Sequence, residues 1–356
     1  MLQPRFSFTA GALRSDSDAP VAAPSRFVVE RSLEVPVDAL RVLLGDSGKA
    51  EPGDPVQLDL GDADGLERVF TGRVAELRPH LGGCRMLCLG TMLALVDLRA
   101  SGFYQSQSAG DVARDLVRQA GLEAGDIQDG ITLPRYAVER RVGAHAQLRR
   151  LAQRLGFSLF SDREGKVHFK GLGAAASLGG GGGLGGLAGA AGGALAGAAG
   201  ALGLGGTGAG LAYGTHLLAA EGALQPAFAR RVTVGGESPM SGQGEDKSFW
   251  LTATDRDYED SAGSGDELLI TDSAARTKDM AGRFAAGYAA AFARRGAAVR
   301  LTALGLPALE LGGTLSASGA PEGGLNAGGT IVALRHRFGA REGFVTDVTI
   351  APESGA

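Results

Sequence analysis

EPGDPVQLDLG, residues 51–61, followed by ERVFTGRVAELRPH, residues 67–80, is the stretch that decides the fold. Glu51-Pro52-Gly53-Asp54 is a turn signal, because proline presets one backbone angle and glycine supplies the left-handed one. Val56, Leu58 and Leu60 then fall on one side of an extended chain, the period of two that a half-buried strand requires. Gly72 stands in the middle of the next alternating run, where a glycine signals a bulge or a bend.

The pattern extends in both directions. RFVVERSLEVP (26–36) alternates, VDALRVLLG (37–45) is a short apolar segment, and CRMLCLGTMLALVDL (84–98) is a strand running into an apolar turn. Short strands punctuated by Gly, Asp and Pro read as a barrel or a sandwich. A second region repeats the plan. LELGGTLSAS (309–318) has Gly312 and Gly313 where the first region has Gly53 and Asp54, and GGTIVALRHRFGAREGFVTDVTI (328–350) supplies another alternating pair.

Between them the period changes. SAGDVARDLVRQAGL (108–122) puts Val112, Leu116 and Val117 on one helical face, with Ser108 and Asp111 at capping-box spacing and Gly121 as the stop. GAHAQLRRLAQRLG (143–156) presents Ala146, Leu148, Leu151, Ala152 and Leu155 on one side. Arg149, Arg150 and Arg154 lie on the other, which reads as a solvated face or as a partner-binding one. FSLFSDREGKVHFKG (157–171) is a hairpin turning at Asp162–Gly165, with His168 on its polar side, facing solvent. LAYGTHLLAAEG, FARRVTVGGESP (228–239) and SFWLTATD (248–255) are further strands. DSAARTKDMAGRFAAGYAAAFARRG (272–296) is a long helix with Asp272 or Ser273 as its cap, packing beside the second β region or at an interface.

The fold expected is therefore mainly β (α+β), with two tube-like antiparallel barrels around a helical insert. The divisions are an N-terminal arm (1–25), a first barrel (26–107), a helical domain (108–156), a second barrel with the long helix (157–172 and 211–356), and a Gly/Ala/Leu-rich insertion (173–210). From Gly171 to Ala220 there is no Asp, Glu, Lys or Arg. That block reads as a flexible linker, as a glycine-zipper helix through Gly189, Gly193 and Gly197, or as a docking segment.

Composition narrows the function. The chain has 356 residues and a net charge of -4, so it carries no electrostatic footprint for nucleic acid, and 6% aromatic residues are too few for a base-stacking platform. Cys84 and Cys88 lie too far apart on one strand for a disulfide, and so few cysteines suit folding in the bacterial cytoplasm. MLQPRFSFTAGALRSDSDAP has no apolar run behind a basic start and is not read as a secretory signal. Of the histidines, His80, His145, His168, His216 and His336, none stands in a metal-binding or catalytic motif, and His336 reads as a surface or interface residue. DRDYED, with Asp255, Asp257, Glu259 and Asp260, lacks the register of a calcium loop. No phosphate-cradling glycine motif is present. No catalytic, cofactor or metal residue is assigned. The residues singled out are the turn and ring determinants Gly53, Asp54, Gly72, Gly312 and Gly313.

In its order of segments the chain resembles the phage late control protein D family and the hub half of VgrG-type spike proteins. EPGDPVQLDLG…ERVFTGRVAELRP, SAGDVARDLVRQAGL with AHAQLRRLAQRLGFSLFSDREGKVHF, LAYGTHLL…ARRVTVGGESP, and GLPALELGGTLSASG…GGTIVALRHRFGAREGFVTDVTI carry that resemblance. It implies a structural baseplate hub and not an enzyme: a homotrimer whose barrels form a pseudo-hexameric ring between a six-fold inner tube, or tube-initiator protein, and a three-fold spike. Other baseplate subunits would complete the assembled particle, which is released or stays in the cytoplasm. With the second barrel ending the chain, the spike is expected on a separate polypeptide. A membrane-active effector built around the Gly/Ala block and a tail-associated cell-wall hydrolase are the alternatives.

Overall fold

The computed structural model describes residues 3–46, 48–172, 209–224, 231–236 and 259–352. Most of the insertion, including the proposed zipper glycines, lies outside these residues, as do the strand expected at 248–255 and the Asp255–Asp257 part of the acidic loop.

The expected mainly β fold is present, with two rolled β units. The first contains β1 (Arg5–Ala10), β2 (Leu13–Asp16), β3 (Arg26–Ser32), β4 (Ala39–Leu44), β5 (Pro55–Asp62), β6 (Gly65–His80) and β7 (Gly83–Gly90). The central part holds α1 (Leu93–Asp97), β8 (Gly102–Ser108), α2 (Ala109–Gln119), β9 (Ala124–Ile127), β10 (Thr132–Val138), α3 (Ala144–Leu155), β11 (Phe157–Ser161) and β12 (Val167–Gly171). There follow β13 (Ala209–Ala212), β14 (Leu217–Leu224), β15 (Arg231–Gly235), β16 (Glu259–Gly263), β17 (Glu267–Thr271), α4 (Lys278–Ala293), β18 (Ala297–Leu304), β19 (Thr314–Ser318), β20 (Gly328–Gly339) and β21 (Gly343–Pro352).

The two units have the same plan. Sheet order in the first is β3-β4-β7-β6-β5-β1, and in the second β14-β18-β21-β20-β19-β13, so with β2 and β15–β17 set aside strands of equal rank in the chain hold equal places in the sheet. One pairing differs: β1 runs antiparallel to β5, while β13 runs parallel to β19. Each unit rolls around its own core. Phe6 and Phe8 of β1 meet Phe27 of β3 across the first core, and Leu211, Leu301, Ile331 and Ile350 gather in the second.

Four expectations change. The first 25 residues are not a free arm, because RFSFTA forms β1 against β5 and Leu13–Asp16 adds β2. The two β units are not separate barrels: β3 pairs with β20, which makes one continuous 13-stranded sheet among the described residues. β13 begins at Ala209, inside the segment expected to be insertion. Finally, α4 packs away from the second β core. Met280, Ala281, Phe284 and Ala285 bury themselves with α2, α3, β11 and β12 in a third core. Gly287 permits this approach, since a Cβ there would lie under 3.0 Å from the Arg154 carbonyl oxygen. Thr277, not Asp272 or Ser273, caps α4, through its side chain to the Met280 N–H at 3.2 Å.

The local signals in the centre hold. Ser108 and Asp111 form the reciprocal capping box of α2, and Gly156, with φ of +68°, ends α3.

Candidate functional site

The singled-out glycines form one device, built twice. In the first unit Gly53, with φ of +94°, donates its N–H to Val74 O at 2.8 Å, and Val74 N–H returns to Asp54 O at 2.9 Å. In the second, Gly312, with φ of +78°, donates to Ile331 O at 2.9 Å, and Ile331 N–H returns to Gly313 O at 2.8 Å. The turn itself is matched: Asp54 N–H reaches Glu51 O, and Gly313 N–H reaches Glu310 O, each at 3.2 Å. In the first unit Asp54 adds a side-chain lock, its Oδ2 accepting from Glu51 N–H at 2.8 Å.

Gly72 is not itself a bulge. It lies in regular pairing with Val56 and Gly90, between two register shifts, one against β5 at Leu58/Asp59 and one against β7 between Val74 and Glu76. Glycine stands there because a Cβ would fall under 3.0 Å from the Leu89 carbonyl oxygen of β7. Gly329, which the sequence reading does not single out, is its equivalent. A Cβ there would press as closely on Ala351 O of β21, and the matching register shift follows between Ile331 and Ala333. The signal was available in GGTIVAL, where a glycine precedes the alternating run.

The joint between the units is the second feature. Gly328–Thr330 of β20 pairs with β19, and Ala333–Gly339 pairs with β3, so one strand serves both units. Phe338 reaches into the neighbouring core, 5.6 Å from Phe6 and 6.0 Å from Phe27 between ring centroids. Beside it Arg31, 1% exposed along its side chain, bonds Asp38 through Nε at 3.2 Å, Glu310 through Nη1 at 3.0 Å and Ser161 O through Nη2 at 2.8 Å. Burial alone would lower the Arg31 pKa, but the Glu310 and Asp38 carboxylates outweigh it and hold the guanidinium charged. The β11–β12 turn is wedged in the same place. Thr71 and Thr91 of the first unit donate to Arg163 O at 2.9 Å and Gly165 O at 2.8 Å, and Glu310 bonds Arg163 at 3.2 Å.

The polar faces expected in solvent are partly internal. Arg154 is turned inward onto Asp272, at 2.7 Å, with the Tyr288 hydroxyl on the same carboxylate oxygen at 3.1 Å. Arg149 meets Glu34 at 3.0 Å. His168 stacks on Phe160, accepts from Asp126 N–H at Nδ1 and faces Asp162 with Nε2 at 3.2 Å, an arrangement that suits the Nε2-protonated tautomer. His336 is wholly buried, its Nδ1 at 3.0 Å from Thr346 Oγ1. For Arg154 and His168 the pattern names a helix or strand face but not what another element lays over it.

These groups suit structure more than chemistry. Burial pushes the Cys88 thiol up to about 12, which leaves it protonated and inert. Among the described residues, no group of three or more His, Cys, Asp or Glu side chains could hold a metal ion, and no helix is long and apolar enough to cross a membrane.

Burial lowers His145 to about 4, with Arg149 adding to it, and His336 to about 3, with Arg31 adding to it. Both are neutral when folded, so their contribution is complete above the ordinary histidine value of 6.5 and is lost as pH falls towards 4 and 3. Asp38, raised by burial, acts in the opposite sense. Stability measured by urea unfolding is expected to fall by about 1.4 kcal/mol per pH unit for each histidine below pH ~6.5. His336→Phe should remove about half of that slope; an unchanged slope would show that His336 is not buried neutral.

The two rolled β units, the joint strand and the helical insert are the fold of phage tail proteins. The chain superposes on the 43 kDa tail protein of a Shewanella oneidensis prophage with a TM-score of 0.69 at 16% identity, covering 98% of each chain. A tail protein from Neisseria meningitidis gives 0.68 at 13% identity, over 99% of this chain and 97% of that one. A component of the Escherichia coli type VI secretion system, described as similar in structure to bacteriophage T4 tail proteins, gives 0.56 at 11%, over 98% of this chain and 77% of that one. No protein-family model matches the chain, and no curated protein sequence does.

Proposed function

We propose that this chain is a structural hub of a phage-like tail or contractile injection system, acting as a homotrimer and not as an enzyme. The observation that carries the reading is the repeat within the sheet. Two units with one strand order and one turn device stand within each chain. Three copies then offer six equivalent β units to a six-fold inner tube or tube-initiator protein, while the copy number itself matches a three-fold spike. Symmetry matching of this kind needs edges and interfaces, and no reacting group. The likeness to tail proteins and to a component of a secretion system supports the same class of role. Gly53, Asp54, Gly72, Gly312 and Gly313 act in it as the residues that shape equivalent units.

Electron microscopy of the purified chain, alone and with the tube protein of its own particle, tests the reading. A three-copy ring with six peripheral lobes that retains the tube protein is the expected result. A monomer that binds no tail component, or one that permeabilises liposomes, overturns it.

A further inference from the structure

The joint between β3 and β20 leaves its counterpart open. β14 holds in the second unit the place that β3 holds in the first, and β6 holds the place of β20. Inside the chain β3 is covered by the outer half of β20. Among the described residues β14 pairs along its length with β18 alone, apart from a single bridge between Leu217 and Tyr213. The segment of β6 beyond its register shift, Glu76–His80, pairs with β7 and, among the described residues, has no strand on its other side.

Both edges have the character of an unfinished joint. LLAAEGAL in β14 carries one charge, Glu221, and Leu218 is exposed. Long apolar edges of this kind are ordinarily protected by charge, proline or a covering element. At the tip of the β6–β7 hairpin stands Leu81, wholly exposed. Its equivalent on the β20–β21 hairpin is Phe338, the side chain that enters the neighbouring core between Phe6 and Phe27. One repeat thus shows an anchor in place, and the other shows an anchor with nothing to enter.

We infer that β14 of one copy pairs antiparallel with Glu76–His80 of β6 in a second copy, with Leu81 seated at the mouth of the second β core. This rests on the hub reading and names the edges that join its copies. Transferring the β3–β20 register, in which Arg335 faces Glu30 and Arg337 faces Val28, sets Arg78 opposite Ala223 and His80 opposite Glu221. The single charge of β14 then meets the basic end of β6. Pro79 falls opposite Gly222 and brings a carbonyl but no donor, so this joint is one hydrogen bond poorer than the internal one. The contact is head-to-tail, the kind that closes into a ring when its rotation permits.

The full-length variant carrying Arg78→Cys and Ala223→Cys tests the pairing, since both positions are exposed and the native Cys84 and Cys88 are buried. Mild oxidation is expected to give covalent species of two and three chains that neither single variant gives. Leu81→Asp is expected to weaken self-association about tenfold or more, as loss of an interface anchor does, while the dissociated chain at low concentration keeps its unfolding temperature. Association without the specific crosslink, crosslinking as strong in the single variants, or a chain that is monomeric at every concentration overturns the pairing. Failure of the hub reading has a different signature: the crosslinked ring forms and retains no tube protein.

Discussion

Gly72→Ala and Gly329→Ala are each expected to cost about 3 kcal/mol or more and to leave little folded protein, whereas Gly53→Ala costs about 1–2 kcal/mol. The difference lies in what a methyl group meets. At Gly72 and Gly329 it presses on a backbone carbonyl, Leu89 O or Ala351 O, which belongs to a paired strand and cannot rotate away. Relief requires the long strand to part from its hairpin partner at the point where the ladder also absorbs a register shift. At Gly53 no atom lies within 4 Å of the added carbon, so the penalty is only that of a left-handed backbone. Urea unfolding of the three variants checks this. If Gly72→Ala and Gly53→Ala are equally mild, the close approach is not a determinant of the units.

Arg31→Ala is expected to cost about 3–5 kcal/mol, because it leaves the Asp38 carboxylate buried without its cation and takes a donor from Glu310 and from Ser161 O. Arg31→Lys should recover less than half of the loss. One ammonium group cannot serve an Nε, Nη1 and Nη2 set aimed at three acceptors. Arg31 ties β3 to the loop before β19 and to the end of β11, so its loss should also separate the unfolding of the two β units. Thermal unfolding followed by calorimetry is expected to change from one transition to two. A loss below about 1 kcal/mol, or a transition that stays single and unshifted, would sink the idea that this network locks the joint.

Much of the fold is legible because strand faces, caps and turns are local. Val56, Leu58 and Leu60 declare a strand within a few residues, and Ser108 with Asp111 declares a helix start. The signal of RFSFTA is equally local, since Phe6, Phe8 and Ala10 alternate with polar residues, but it is short enough to be absorbed in an arm. The misread side chains have a common cause. His168 and Arg154 sit on faces that are polar by pattern, and each is covered by an element from elsewhere in the chain, while His336 shares its strand face with Leu334 and Phe338 and is buried there against Thr346 of the neighbouring strand. Periodicity reports which side of an element a residue occupies. It does not report whether that side has a neighbour.

The sequence by itself determined the mainly β class, the positions of most strands and helices, and the two matching turns at Gly53–Asp54 and Gly312–Gly313. These depend on backbone preferences and on apolar spacing, which act over a few residues. Only the tertiary structure decided that the two β units share one sheet through β20, that α4 belongs to the third core, and that Arg31 sits buried where β3, β11 and the loop before β19 meet. Those outcomes depend on which edge finds which partner and on which charge finds a counter-charge after burial. Such choices are made between segments far apart in the chain, and no local pattern records them.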